Sequence, residues 1–291
     1  MSRTMALTVA QGFDTFLERL TPLESQRDAK AKHRDSVEAS LRKALDVKMF
    51  RESGSFNHGT GVRNFCDVDL LVSLGTRPGS STTALNWVKK ALSDSFPKTT
   101  VTISRPAVRV LFNGGKETWE IIPGFRKNTG DAALYDIPGV MEAQWLESAP
   151  TEHINYVNEV NKRAGLSGAA KKLARLIKAW KYYNNVPVSS FYLEMRAAQY
   201  MATETYWDPI QDLSRFVNQL QNNKLGAMND PMGLTSRFYA CSTDAKAKDA
   251  VSRLNTAATR AEKALIAHRG DKPGDAFYWL GLLFGGNFPV R

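Results

Sequence analysis

The densest chemical potential in the sequence lies at Asp67-Val68-Asp69. Side chains alternate sides along a β-strand, so Asp67 and Asp69 project from one face while Val68, Leu70 and Val72 enter the other. Two carboxylates this close repel each other and are costly to hold unless water or a cation neutralises them. Oxygen ligands at this spacing suit Mg²⁺ or Mn²⁺, which keep coordination positions for water and phosphate. Glu120, within Thr118-Trp119-Glu120-Ile121-Ile122, offers a third carboxylate on the face opposite Trp119 and Ile121. If the two runs are neighbouring strands, the three acids converge and could hold two divalent ions for phosphoryl transfer. One ion would hold a donor triphosphate; the other would lower the pKa of an attacking hydroxyl, whose proton a carboxylate takes or relays.

Gly54-Ser55 precedes the acidic pair by an interval of eleven residues. A glycine lets backbone N–H groups approach a phosphate, and the serine hydroxyl can hydrogen-bond its oxygens. Gly59-Thr60-Gly61 fits either a second phosphate contact or a plain loop. An isolated Asp-x-Asp can be an edge-strand solubility device, and Gly-Ser alone is a turn. The ordered set of Gly-Ser, Asp-x-Asp, an apolar run and an acid in a second strand is what points to catalysis.

These residues need a scaffold. Phe13, Phe16, Leu17 and Leu20 recur with helical period, and after Thr21-Pro22 a charged stretch with Val37, Leu41, Ala44 and Leu45 continues it, so the first 50 residues read as helix. Residues 67–72 read as a buried strand, 82–95 as a helix, and 107–112 and 117–122 as two strands joined by the hairpin Asn113-Gly114-Gly115-Lys116. From about residue 138 the chain reads as mostly helical, with Pro138 and Pro150 bracketing a transitional segment around Trp145 and Leu146. The expected class is α+β: a mixed sheet with helices over residues 1–140, braced by a long N-terminal helix, and a helical lobe over 141–291.

The clearest helix runs from Ser167 to Tyr183. At 100° per residue, Leu173, Leu176, Ile177 and Trp180 cluster within about 60° of one direction, with Lys171, Arg175 and Lys178 near the opposite side. The helix is expected to bury one stripe and display a cationic one.

The chain has 291 residues, 43% hydrophobic and 23% charged, which excludes collagen-like, disulfide-scaffold and wholly disordered classes. Its 39 Lys plus Arg against 29 Asp plus Glu give a net charge of +10 and point to an anionic partner. Cys66 and Cys241 fit reduced thiols, and no zinc spacing is present. The N-terminal apolar run turns polar at Gln11 and Asp14, too soon for a signal-peptide core, and no stretch has the length of a membrane span; the expected location is cytoplasmic. His33, His58, His153 and His268 sit in no nucleophile arrangement.

Gly54-Ser55, Asp67-x-Asp69 and Glu120 resemble the signature of DNA polymerase β-like nucleotidyltransferases. The stretch from Gly54 through Val72 most resembles the bacterial cGAS/DncV-like nucleotidyltransferases (CD-NTases), the signal-producing enzymes of CBASS anti-phage systems. The resemblance implies a bilobal fold and a cleft that binds nucleotides. It implies two Mg²⁺ ions, or Mn²⁺, held by Asp67, Asp69 and Glu120, with Glu120 standing where many members have Asp. It implies that Gly54, Ser55, Lys178 and Ser190 contact the donor nucleotide, and that Phe191 either stacks on a base or packs in the core. Tyr182 and Tyr183 fit helix-end packing.

The implied activity joins NTPs into a cyclic or linear oligonucleotide messenger with release of pyrophosphate, read by a downstream effector and open to a regulatory protein partner. The alternatives are a template-independent RNA nucleotidyltransferase of tRNA or poly(A) tailing type, and a non-catalytic nucleotide-binding regulator. The positive charge suits the RNA reading, but no appended RNA-binding module is recognisable.

Overall fold

The computed structural model describes residues 7–65, 67–127, 132–166 and 168–291, without the side chains of 24–32, 56 and 57. Cys66 and the expected helix start at Ser167 lie outside the described residues.

In chain order come α1 (Val9–Leu20), α2 (Glu24–Ala44), strand β1 (Val47–Ser53), the single helical turn α3 (Gly54–Asn57) and β2 (Val68–Leu74). Helix α4 (Ser81–Ser95) leads to β3 (Thr100–Ser104), β4 (Ala107–Phe112), β5 (Glu117–Arg126), β6 (Tyr135–Pro138) and β7 (Trp145–Ser148). Then follow α5 (Pro150–Lys162), α6 (Ala169–Tyr183), α7 (Ser190–Met201), α8 (Pro209–Asn222), α9 (Asp244–Arg269) and α10 (Pro273–Leu283).

The chain packs as two units. One holds Pro22–Asn155 with Met232–Ser236; the other holds the residues up to Thr21 with Tyr156–Pro231 and Arg237–Arg291. In the first, the described strands form one mixed sheet in the order β1-β2-β5-β4-β3, with β6 and β7 added beyond the far end of β5. Strands β2 and β5 run parallel; the other pairs are antiparallel. Leu70 and Val72 of β2, Val108 and Val110 of β4, and Trp119 and Ile121 of β5 join one core with Leu85, Val88 and Leu92 of α4 and Val37 and Leu41 of α2. Each such side chain contributes about 1.5–3 kcal/mol on burial, so this face fixes the sheet and leaves the other to carry polar groups. The β4–β5 hairpin forms as its glycines require: Gly114 and Gly115 take φ 66° and 88°, which glycine adopts without a Cβ clash.

Three features differ from the sequence reading. Residues 47–53 are strand β1, not the end of a helix. The segment around Trp145 and Leu146 is β7, paired with β6, so sheet structure continues past residue 138. The first helix also belongs elsewhere: only α2 lies with the sheet, while α1 groups with the helical unit. The cause is aromatic packing, with Phe13 and Phe288 ring centroids 5.2 Å apart and Phe16 and Phe284 4.6 Å apart. The chain passes between units after Asn155 rather than near residue 140.

In the helical unit, Leu173, Leu176, Ile177 and Trp180 of α6 are buried, as their period requires. Helix α8 is capped by Asp208, whose side chain accepts from Gln211 N–H, with Pro209 opening the first turn. No helix among the described residues is long and apolar enough to cross a membrane.

Candidate active site

Backbone register assembles the acidic row. Ser53 of β1 is the Cα partner of Asp69 in β2, Asp69 of Glu120 in β5, and Glu120 of Arg109 in β4. Paired residues on adjacent strands share a face at a spacing of about 4.8 Å, so Asp69, Glu120 and Arg109 stand in one line across the sheet. They occupy the face opposite the buried Val68, Leu70, Trp119 and Ile121. Asp67 sits one residue before β2 and is exposed.

Glu120 does not stand alone. Its Oε1 accepts from Arg109 Nη2 at 2.8 Å and Nε at 3.3 Å. The hydrogen bond to Glu120, with added attraction from Glu120 and Asp67, raises the Arg109 pKa above its already high ordinary value. Among the described residues, no group of three His, Cys, Asp or Glu side chains is arranged to hold a metal ion. The row therefore contains two acids side by side in Asp69 and Glu120, with a resident guanidinium on the second.

Gly54 explains its own identity. It takes φ +71°, and a Cβ built there would fall 1.8 Å from Asp69 Oδ2. Any other residue would displace the carboxylate, so glycine permits β1 to end against Asp69. The loop that follows is framed by its own polar groups: His58 N–H donates to Gly54 O and Thr60 N–H to Ser55 O, each at 3.0 Å. His58 and Thr60 are buried, and Thr60 Oγ1 also donates to Ser55 O at 3.4 Å. Of the two readings of Gly59-Thr60-Gly61, these bonds give Thr60 a framing role. They leave Ser55 half-buried, directly after Gly54.

The helical unit departs from the expected cationic face. Lys178 is fully buried, and its Nζ lies 3.4 Å from Glu194 Oε2 of α7. The lysine that meets Ser190 is Lys181, whose Nζ donates to Ser190 Oγ at 2.6 Å. Tyr182 OH lies 3.1 Å from the same oxygen, and Lys181 Nζ is 4.6 Å from the Tyr182 ring centre. Ser190 is the first residue of α7, with Ser189 as its cap. Phe191 remains 37% exposed and packs edge-on against Phe238 at 4.9 Å, so it is neither core nor a bare platform. Burial lowers the Lys171 pKa below the usual lysine range.

Arg109 and Lys181 contact expected site residues, Glu120 and Ser190, and were not singled out from the sequence. For Arg109 a signal existed: the 113–116 turn implies the pairing of Phe112 with Glu117, and counting back three residues brings Arg109 opposite Glu120. For Lys181 there was none beyond its place one turn after Lys178.

The donor set is oxygen-only, which matches a hard divalent cation rather than zinc or copper. Asp67, Asp69 and Glu120 are the carboxylates that would hold it, although the three are not gathered as a set here and Glu120 accepts from Arg109. Ser55 in the sheet unit is a hydroxyl beside the acidic row, and in the helical unit Ser190 and Lys181 pair a hydroxyl with a cation.

Residues 7–161 match the family model of the Second Messenger Oligonucleotide or Dinucleotide Synthetase (SMODS) domain. A cyclic AMP-AMP-AMP synthase from an Acinetobacter species is 29% identical over 161 residues, covering 51% of this chain and 45% of the relative. The match thus spans less than half of that relative's length. Among solved structures, E. coli CdnC in its complex with HORMA-deltaN superposes at a TM-score of 0.74 with 16% identity, covering 96% of this chain and 98% of the other. Bradyrhizobium diazoefficiens CdnG, a CD-NTase solved with GTP, gives 0.72 and 14%, covering 95% and 96%. Vibrio cholerae DncV, a cyclic AMP-GMP synthase solved with a linear intermediate, gives 0.66 and 15%, covering 83% and 70%. These likenesses establish the fold as that of CD-NTases with a polymerase β-like core. With the family model matching more than half of its length, the chain belongs to the SMODS family of cGAS/DncV-like nucleotidyltransferases.

Proposed function

We propose that this chain is a metal-dependent nucleotidyltransferase that joins NTPs into a cyclic or linear oligonucleotide messenger and releases pyrophosphate. The observation that carries the proposal is the register of Asp69 with Glu120 on parallel strands, with Gly54 closed against the Asp69 carboxylate. Family membership and the cyclic oligonucleotide synthases among its relatives support it.

Divalent cations bound at Asp67, Asp69 and Glu120 would supply charge neutralisation at the triphosphate and acidify the attacking hydroxyl. The chain's own residues do the rest. Gly54 keeps the Asp69 carboxylate in place. Ser55 donates to a phosphate oxygen of the donor nucleotide. In the helical unit, Lys181 and Ser190 offer a cation and a hydroxyl to phosphate, and Phe191 offers a ring edge to a base. A carboxylate of the row accepts the proton of the attacking 2′- or 3′-hydroxyl, and the departing pyrophosphate carries away the displaced charge. A second pass with the linear product as its own acceptor closes a ring.

The proposed setting is bacterial anti-phage signalling in the cytoplasm, with a downstream effector that reads the messenger. CdnC was solved with a HORMA partner, which supports a regulatory protein partner here as well.

Incubation with Mg²⁺ and all four labelled NTPs, with and without RNA, tests the proposal. The expected result is a phosphatase-resistant product without RNA, lost on chelation and in Asp69→Ala. Extension of RNA 3′ ends alone would establish the tailing activity instead. A wild-type rate in a folded Asp69→Ala protein would end the proposed mechanism.

A further inference from the structure

Two short stretches of the helical unit run side by side at the start of α7. Cys241 Sγ donates to Pro187 O at 3.2 Å, Ser189 N–H donates to Ala240 O at 2.7 Å, and the rings of Phe191 and Phe238 meet edge-on at 4.9 Å. As the first stretch ascends from Pro187 to Phe191, the second descends from Cys241 to Phe238. The pair is therefore antiparallel, and 238–241 forms a strap along the turn that delivers Ser190 and Phe191 to the first turn of α7.

The strap is held by its backbone. Phe238 exchanges two hydrogen bonds with Met228, giving its N–H at 2.8 Å and accepting at 3.0 Å. None of these bonds, nor the one from Ser189, uses the Phe238 side chain. What that side chain adds is the ring contact. Its ring is half-buried, whereas Phe191 is 37% exposed. The two planes meet at 73°, the arrangement aromatic pairs favour because the positive edge of one ring faces the negative face of the other. A half-exposed ring in the first turn of a helix can otherwise swing about its side-chain torsions. Phe238 limits that swing and keeps the uncovered part of Phe191 turned outward in one orientation. Aromatic contact with a base depends on such an orientation, and a purine, with the larger ring system, gains more from it than a pyrimidine.

We propose that Phe238 is a positioning residue for purine recognition, acting by holding the Phe191 ring. The proposal rests on the reading of Phe191 as a base contact. It does not depend on the acidic row or on a metal ion.

Saturation-transfer NMR of the full chain in EDTA, with adenosine, guanosine, cytidine and uridine as probes, tests this without phosphate or metal. The wild type is expected to bind the purine nucleosides more tightly than the pyrimidines. Phe191→Ala and Phe238→Ala are each expected to weaken the purine nucleosides at least about fivefold and the pyrimidines less. Phe238→Tyr, which keeps the ring edge, is expected to restore most of the loss, and circular dichroism checks that each variant is folded. If Phe191→Ala binds as wild type, or if no nucleoside binds the wild type at millimolar concentration, Phe191 is not a base contact and the proposal falls with it. If Phe191→Ala weakens binding and Phe238→Ala does not, the positioning role alone is overturned. Equal weakening of purines and pyrimidines in Phe238→Ala, or no recovery in Phe238→Tyr, would reduce Phe238 to a packing residue. Should the wild type turn over no NTP with Mg²⁺, the reading of the chain as a nucleotidyltransferase fails, while the nucleoside titrations still decide the role of Phe238.

Discussion

The acidic row of the sheet and the lysines of the helical unit show how differently two kinds of element constrain a functional group. On β2, β5 and β4, alternation sets the face and hydrogen-bond register sets the neighbour, so Asp69, Glu120 and Arg109 become adjacent through backbone geometry. On α6, helical period correctly buries Leu173, Leu176, Ile177 and Trp180, yet Lys178 on the far side is buried too. A helical wheel gives direction about one axis but not how many sides the fold covers. Helix α7 covers that side with Glu194, so the lysine becomes half of an internal ion pair. Register thus gathers the row, whereas Lys178 ends in a buried ion pair with Glu194 and the half-buried Lys181 reaches Ser190.

The strongest way to break this contrast is to remove an acid. Asp67→Ala and Asp69→Ala are each expected to lower NTP turnover by on the order of 10³-fold or more, since several kcal/mol of charge stabilisation depend on them. Turnover with Mg²⁺ and labelled NTPs checks this, with circular dichroism confirming the fold. Retained activity would show that register had gathered these carboxylates for another purpose.

Next is Lys178. Removing one partner of a buried ion pair costs about 3–5 kcal/mol, because the other charge stays buried without it. Lys178→Ala is therefore expected to lose roughly that much stability in urea unfolding, whereas Lys178→Met with Glu194→Met is expected to recover most of it. Donor KM in whatever enzyme remains folded should stay near wild type. A KM rise with unchanged stability would return Lys178 to the phosphates.

The same contrast governs what could be read from the sequence. The central strands β2, β4 and β5 were legible because one face of each is continuously buried, giving clean apolar alternation at Val68, Leu70 and Val72 and at Trp119 and Ile121. Strands β1 and β3 were missed, and both lie at ends of the sheet order. Their residues are mostly half-buried, as in Lys48-Met49-Phe50-Arg51, so no stripe marks them. Helix α1 was legible as a helix, but its partner was not. Its aromatic face is matched by Phe284 and Phe288 at the other end of the chain, a pairing that local pattern cannot reveal. In the candidate site, the acids were legible from spacing; the cations required knowing which side chains were covered.

Gly54→Ala sharpens the comparison from the backbone side. The added Cβ would meet Asp69 Oδ2 at 1.8 Å, and φ +71° disfavours alanine. The positive φ costs about 1–2 kcal/mol of stability. The displaced carboxylate is expected to cost roughly 10²-fold in turnover, as misplacement of about 1 Å can. Loss of activity well beyond the loss of folded protein is the expected signature. An alanine enzyme as active as wild type would show that Asp69 need not sit where Gly54 leaves it.

The smallest expected effect belongs to Lys181. It donates to Ser190 Oγ, and its charge also lies over the Tyr182 ring, so its removal takes little from the core. A single lysine–phosphate contact is worth about 1.5–3 kcal/mol when charge-assisted. Partial exposure puts Lys181 at the low end, and Lys181→Ala is expected to raise donor KM roughly tenfold with kcat and melting temperature nearly unchanged. Lys181→Arg, which keeps the charge, is expected to recover part of the loss. If Lys181→Ala instead lowers stability and leaves KM alone, then its bond to Ser190 serves only to join the end of α6 to the start of α7. The helical unit would then present no cation of this pair to the nucleotide.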